Sequence, residues 1–178
     1  IEDGAFAYCR ALTNIEIPDE VVNIGNYAFE ECISLRSIKI PAGVTSIGYR
    51  TFFGCTSLKT VGLHEGLEEI GDSIFSKCTS LETVSLNEGL KKIGGYAFDE
   101  CTSLKSIFIP STVNSIADWA FNKCKSLADI QVHKDNKIFE VVDDILYATG
   151  NQFWKRDIPD VGNIRELIRC STRKSGKV

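Results

Sequence analysis

Seven cysteines are the residues of this chain with the clearest capacity for chemistry, and six of them recur at a strict spacing of 23 residues. A row of thiols can form disulfides, hold a metal ion or supply a nucleophile. Zinc needs ligands that converge as a tetrahedron, and the sequence has no C-x-x-C pair and no Cys/His cluster. Thiols packed as small apolar side chains and occasional disulfides are the two interpretations that stay open. The six residues are Cys9, Cys32, Cys55, Cys78, Cys101 and Cys124.

The two histidines and the seventh cysteine offer the other chemical possibilities. His64 and His133 are 69 residues apart, three times the spacing of the cysteines, so we expect them at one position of distant repeats rather than in a dyad. His64 adjoins Glu65, an acid/base arrangement without a neighbouring nucleophile. Cys170 follows Arg169, which would favour the reactive thiolate, and an inert residue near the terminus is the alternative. Phosphate-binding and nucleophile-elbow motifs are missing, so we expect no enzymatic activity, no cofactor and no metal.

The 23-residue spacing extends to three other residue types, so it defines a structural repeat rather than a reactive motif. Isoleucine, phenylalanine and leucine hold fixed positions around each cysteine, and glycine usually follows the isoleucine. These residues are Ile1, Ile24, Ile47, Ile70, Ile93 and Ile116, then Phe6, Phe29, Phe52, Phe75, Phe98 and Phe121, and Leu12, Leu35, Leu58, Leu81, Leu104 and Leu127.

Each repeat must contain the elements that position these residues. The segment L-x-x-I-x-I alternates as a half-buried strand does. A short extended V-x-x-I-G stretch follows, in which we expect the glycine to allow a turn where a side chain would clash. The A-F-x-x-C segment has the spacing of one helical turn. The sequence thus predicts a repeat of strand, turn, short strand and helical turn.

A single unit of this length cannot bury its own apolar face, but stacked units can, because each apolar residue then lies over its counterpart. We therefore expect an α/β repeat fold, a right-handed solenoid with a parallel sheet on its concave side. Neighbouring strands would lie about 4.8 Å apart. Short strands or helical turns would form the convex side.

The pattern L-x-x-I-x-I-P-x-x-V-x-x-I-G-x-x-A-F-x-x-C resembles the 23-residue leucine-rich repeat of the BspA type. The resemblance extends over residues 1–132 and departs from the general leucine-rich pattern by placing cysteine before the first leucine. It implies a right-handed, horseshoe-like scaffold that binds partners and carries out no catalysis. A cell-surface or secreted location is an expectation from this resemblance alone.

Three regions are expected along the chain. Residues 1–132 form the repeat array of about six repeats, the first of them truncated. Residues 133–150 contain two short strand patterns around Asp143 and Asp144 and resemble the β-hairpin unit that closes such arrays. Residues 151–178 contain IPDVGNI, which is either a degenerate seventh repeat or a coincidence, and end in a basic tail without periodicity.

The outward strand positions are the candidate binding surface, because they vary between repeats while the inward positions are fixed by packing. Phe108 is the single aromatic residue in these columns. It is either an anchor for a partner or an ordinary surface aromatic. The candidate partner-binding residues are Glu16, Lys39, Thr60, Thr83, Ser85, Phe108, Asp129 and Gln131.

Composition limits the class of partner. The net charge of -4 argues against nucleic acid, which usually requires a concentrated basic face. The tail from Arg165 is basic, and it is either simply solvated or a contact for acidic lipid or nucleic acid. No apolar run approaches the roughly 18 residues of a membrane span. The truncated first repeat leaves apolar residues near Leu12 weakly covered, so end-to-end association of two copies is also expected.

These features together predict a non-enzymatic interaction scaffold that binds a protein or a glycan through its concave surface. The alternative is a structural spacer within a longer cell-surface protein, with no ligand site of its own. The two hypotheses differ in whether Phe108 and Lys39 contribute to the binding of a partner.

Overall fold

The computed structural model describes residues 1–142 and 145–148, which form stacked repeats of short strands and turns. The expected turn at Asp143 and Asp144, the region 151–178 and Cys170 lie outside the described residues. Twelve strands occur within the described part of the chain. They are β1 (Asn23–Ile24), β2 (Ser37–Lys39), β3 (Ser46–Ile47), β4 (Thr60–Gly62), β5 (Glu69–Ile70), β6 (Thr83–Ser85), β7 (Lys92–Ile93), β8 (Ser106–Ile109), β9 (Ser115–Ile116), β10 (Asp129–Val132), β11 (Phe139–Val142) and β12 (Ile145–Ala148).

The longer strands form one column, the strand column, which consists of β2, β4, β6, β8 and β10. Strands pair in parallel with their counterparts one repeat later, so that Ile38 lies beside Val61 and Val61 beside Val84. β2, β4 and β6 make one sheet, and β8 and β10 make a second. The inward residue of each strand is buried, whereas its neighbours face solvent. This arrangement confirms the parallel solenoid that the sequence predicts.

The short strands β1, β3, β5, β7 and β9 form a second column, which is interrupted once. β1 pairs with β3, and β5, β7 and β9 form a separate sheet. Elsewhere in this column a backbone N–H donates to the isoleucine carbonyl of the preceding repeat, as Gly48 does to Ile24 at 2.8 Å. Among the described residues the equivalent bond from Gly71 to Ile47 is not made, so the ladder opens between β3 and β5.

A second ladder, made by side chains, runs beside this column and is also interrupted here. An oxygen of Asp3 accepts the N–H of Asn26 at 2.7 Å, and Asn26 in turn accepts the N–H of Tyr49 at 2.8 Å. Further along, Asp72 accepts the N–H of Gly95 at 2.7 Å. Tyr49 occupies the same position but carries its only side-chain oxygen at the far end of the ring. It cannot accept the N–H of Asp72 as an Asp or Asn would. The missing acceptor is not sufficient to open the backbone ladder, because Gly95 also lacks one and Ala117 still donates to Ile93 at 2.8 Å.

The A-F-x-x-C segment is not the helical turn that the sequence predicts, because no helix occurs among the described residues. Backbone donors alternate in direction, so that Phe52 donates to Ile74 of the next repeat while Phe53 donates back to Arg50. This geometry places two residues per repeat in the left-handed region, such as Arg50 at φ 53° and Gly54 at φ 71°. A side chain there costs roughly 1–2 kcal/mol. Hydrogen bonds between repeats therefore replace those of a helix.

Stacked phenylalanine rings form the centre of the core. Successive rings from Phe6 to Phe121 lie 5.1 to 5.5 Å apart between centroids, with interplanar angles of at most 16°. Nearly parallel rings at this separation are offset, an arrangement that the ring quadrupole favours. The rings of Phe29, Phe52 and Phe75 are fully buried. Each repeat thus adds one ring to a continuous stack.

The cysteines form a parallel row beside the rings, and none of the six described cysteines forms a disulfide bond. Each buried thiol donates to the phenylalanine carbonyl 26 residues earlier, as Cys78 does to Phe52 at 3.1 Å. That carbonyl also accepts the N–H of Cys55 at 3.2 Å. The thiols therefore link neighbouring repeats as well as filling space. Cys9 differs from the position expected for the whole row, because it is exposed.

The two ends of the described array differ. β11 and β12 pair antiparallel, with Phe139 opposite Ala148, and Phe139 and Leu146 are buried in the core. At the other end Ile1 and Phe6 are only partly buried. Three expectations stay predictions: the closing role of the hairpin, the right-handed twist of the solenoid, and end-to-end association of two copies.

The glycine that follows the isoleucine has a different role from the turn that the sequence suggests. Neither Gly48 nor Gly71 has a positive φ. A Cβ on Gly48 would lie 2.5 Å from the backbone nitrogen of Asn26, whereas one on Gly71 would lie 3.5 Å from the nearest atom, the oxygen of Ile47. Glycine at position 48 thus accommodates a close approach between repeats that is absent at Gly71. Ala117 holds the equivalent position later in the chain, with its N–H bonded to Ile93 at 2.8 Å.

The buried thiols predict a loss of stability at alkaline pH. Burial raises the pKa of the Cys32 thiol to about 11 and raises the pKa values of Cys55, Cys78 and Cys101 further, with neighbouring thiols adding to the shift. Unfolded thiols release their protons near pH 8.5 while the folded ones keep them. The free energy of unfolding should therefore be unaffected by these thiols below about pH 8.5 and fall above it, by about 1.4 kcal/mol per pH unit for each thiol.

Urea unfolding at several pH values between about 7 and 10.5 measures this slope, and Cys78→Ala is the matched control. The variant should be less stable at neutral pH because it loses a buried atom and one hydrogen bond. Above about pH 8.5 its free energy of unfolding should fall less steeply with pH, by the contribution of one thiol. An unchanged slope would show that Cys78 does not stay protonated in the folded chain.

The two glycines supply a second prediction, since their local sequence is the same and their surroundings differ. Gly48→Ala should destabilise the fold by roughly 1–3 kcal/mol through overpacking. Gly71→Ala should be neutral or stabilising by up to about 1 kcal/mol, because alanine restricts the unfolded chain. Chemical unfolding of both variants tests this difference. Equal losses would contradict the opening of the ladder between β3 and β5.

Candidate functional site

The exposed residues of the strand column, together with Glu16, form the strand face, which contains all eight candidate residues from the sequence. Parallel pairing places Thr60 beside Thr83, and it aligns Lys39, Gly62 and Ser85 in one row. These side chains are exposed, and Glu16 is exposed in a segment outside the strands. The first three strands thus offer small hydroxyls and one lysine, on a backbone fixed by the sheet.

The last two strands carry the larger side chains of this face. Phe108 is 42% exposed and pairs with Gln131 across β8 and β10. Its ring meets the His133 imidazole edge-on, with 6.1 Å between centroids. The amide of Gln131 donates to Asp129 at 3.0 Å. Phe108 is therefore an apolar surface bordered by hydrogen-bonding groups, as partner-binding aromatics commonly are.

Each histidine side chain accepts a hydrogen bond within a local turn. An acid/base pair of His64 with Glu65 is not formed. The Nδ1 atom of His64 accepts the N–H of Gly66 at 3.0 Å, and that of His133 accepts the N–H of Asp135 at 3.1 Å. These bonds use the lone pair that a general base would need. Within residues 1–142 and 145–148 no group of three Cys, His, Asp or Glu residues could hold a metal ion.

Sequence reasoning missed a second surface, which lies on the turns that follow the short strands. The residues three positions after each isoleucine of the 23-residue spacing, from Ile24 to Ile116, form the turn column, and three of them are exposed aromatics. The same 23-residue spacing could have revealed this surface, because its residues also recur with that period, although they lie outside the strands. The turn column consists of Tyr27, Arg50, Ser73, Tyr96 and Trp119, all with φ between 53° and 62°.

Arg50 shows how the turn column holds a cation. Its guanidinium carbon lies 3.6 Å from the centroid of the Phe53 ring and about 6 Å from those of Tyr27 and Tyr49. A terminal nitrogen contacts the carboxylate of Glu30 at 2.9 Å, with both side chains largely withdrawn from solvent. Cation–π attraction and charge pairing therefore act on one side chain.

An open groove of about 520 Å³ lies beside this site, and we call it the aromatic groove. Tyr96 and Trp119 are nearly parallel, with 6.5 Å between ring centroids. The small side chain of Ser73 leaves the space next to these rings open. The groove is lined by Tyr49, Asp72, Ser73, Tyr96, Asp118 and Trp119, among others.

No helix in the described part of the chain is long and apolar enough to cross a membrane.

The repeat array matches a family model described as the BspA type leucine rich repeat region, in six copies over residues 1–140. A leucine-rich repeat protein of T. pallidum is 33% identical over 66% of this chain and 57% of its own, with a TM-score of 0.64. One from Bacteroides ovatus is 36% identical over 67% of this chain and 33% of its own, with a TM-score of 0.62.

A leucine rich cell surface protein of Faecalibacterium prausnitzii is 31% identical over 85% of this chain and 46% of its own, with a TM-score of 0.67. The chain therefore spans about one third to three fifths of the lengths of these solved structures. No protein with a curated description matches the chain.

Proposed function

Because the chain belongs to the BspA-type leucine-rich repeat family, we propose that it is a non-enzymatic interaction scaffold whose strand face binds a protein or a glycan. The carrying observation is the contrast between the two sides of each strand. Inward residues repeat and are buried, while outward residues differ in size, charge and hydrogen bonding. A rigid ladder with variable outward groups is the form in which repeat proteins present binding surfaces.

Phe108 and Lys39 are the residues expected to contribute most of the binding. Phe108 offers an exposed ring on β8, and Lys39 offers an exposed positive charge on β2. β2 and β8 are three repeats apart, which is about 14 Å at the usual strand spacing. A single protein segment or oligosaccharide would therefore reach both residues.

The location at a cell surface belongs to this proposal as well. The similar F. prausnitzii protein is named as a cell surface protein.

Selection of binders tests the proposal directly, with a phage-displayed random peptide library and a panel of immobilised oligosaccharides as the probes. Binders selected on the wild-type chain should lose roughly tenfold or more in affinity for Phe108→Ala, because exposed aromatic anchors dominate such interfaces. Lys39→Ala should weaken the subset of binders that carry acidic groups. Val22→Ala, which removes an exposed side chain away from the strand face, is the matched control.

Two outcomes would contradict the proposal. If neither probe yields a binder, the chain behaves as the structural spacer that the sequence left as the alternative. If binders are found and all keep their affinity for Phe108→Ala and Lys39→Ala, the strand face is not the site.

A further inference from the structure

The aromatic groove combines exposed rings with carboxylates, and it shares no residue with the strand face. Trp119 is 59% exposed and Tyr96 is 45% exposed. Both have positive φ, a backbone conformation that favours glycine over an aromatic residue. Core packing does not explain large rings on such turns, since about half of the surface of each residue faces solvent. Their position instead provides ring faces to an incoming group.

The charges of the groove select the kind of group that fits. Asp72 and Asp118 line it, and none of its lining residues is a lysine or arginine. One oxygen of Asp72 accepts the N–H of Gly95, which leaves the second oxygen for another donor. Within the described residues the Asp118 carboxylate makes no hydrogen bond or ion pair. Two carboxylates beside aromatic faces favour a cation.

Arg50 supplies an internal precedent for such a cation. It occupies the turn column one repeat before Ser73, and the two residues have nearly equal φ values of 53° and 55°. Its guanidinium stacks on Phe53 and pairs with Glu30. At the next repeat the serine is too short to reach the rings of the groove. The residues equivalent to Phe53 and Glu30 in this repeat are Ser76 and Phe53, so the groove is built differently. It combines the rings of Tyr96 and Trp119 with carboxylates, and its lining contains no cationic side chain.

We propose that the aromatic groove binds an arginine side chain of a partner protein. The planar guanidinium stacks against the rings of Trp119 and Tyr96, and its N–H groups donate to Asp72 and Asp118. Arginine fits better than lysine, because a planar fork can stack and donate to two acceptors at once. A neutral sugar would also stack on the rings, but it would not use the two negative charges.

Ligand-observed NMR titration tests the proposal with the blocked tripeptide N-acetyl-Gly-Arg-Gly-amide as probe. Its citrulline analogue has the same shape without the charge, and the lysine analogue has the charge without the planar fork. A neutral N-acetylglucosamine trisaccharide represents the glycan alternative. We expect the arginine peptide to bind the full chain most tightly, and added salt to weaken it.

Three variants locate the site. Trp119→Ala and Asp118→Asn should each weaken the arginine peptide by roughly fivefold or more, the scale of one cation–π or charge-assisted contact. Ser73→Arg should abolish binding, because the new side chain is placed to occupy the groove as Arg50 occupies its own site. Ser126→Arg, which adds the same charge at an exposed corner outside the groove, should leave binding unchanged.

The unfolding midpoint of each variant is measured as well. A variant that binds weakly but keeps the wild-type midpoint has lost the groove and not the fold. Equal binding of the citrulline peptide, tighter binding of the trisaccharide, or no binding of the arginine peptide would overturn the proposal. Full affinity in Trp119→Ala would also overturn it. None of these results bears on the strand face, because Phe108 and Lys39 are untouched.

Discussion

Register between neighbouring repeats is the constraint on which the rest of the structure depends. A ring such as Phe75 is buried only because Phe52 and Phe98 lie 5.5 Å away on either side. The thiol of Cys78 enforces the same alignment, since its acceptor is the carbonyl of Phe52 in the preceding repeat. A shift of one residue would separate rings and thiols from their partners together, so each repeat inherits its position from the one before it.

The sequence predicted well those features that follow from this register alone. The period, the buried columns and the parallel pairing of β4 with its neighbours require only that equal residues lie over one another. It failed at the A-F-x-x-C segment, because a spacing of three is shared by a helical turn and by this turn. Which one forms is decided by donors such as Phe52, whose acceptor Ile74 lies in another repeat. Local pattern carries no signal of that bond.

The opening between β3 and β5 shows why identical motifs can have different roles. Gly48 and Gly71 both follow isoleucine, yet only Gly48 is forced by the nearness of Asn26. The side-chain ladder is interrupted at Tyr49 as well, but Gly95 interrupts it without opening the backbone ladder between β7 and β9. The surroundings of each glycine therefore depend on how closely its own two repeats approach. Such effects become visible only when the repeats are compared as neighbours in space.

Positions that the register leaves free are where this fold can acquire function. Outward strand residues such as Phe108 are free because the sheet fixes their backbone and no neighbour covers them. The turn column is free for a different reason, since its left-handed backbone imposes a similar cost on every side chain except glycine. The backbone therefore does not choose between Arg50, Ser73 and Trp119. Exposed residues of both surfaces can therefore change independently without disturbing the buried rings.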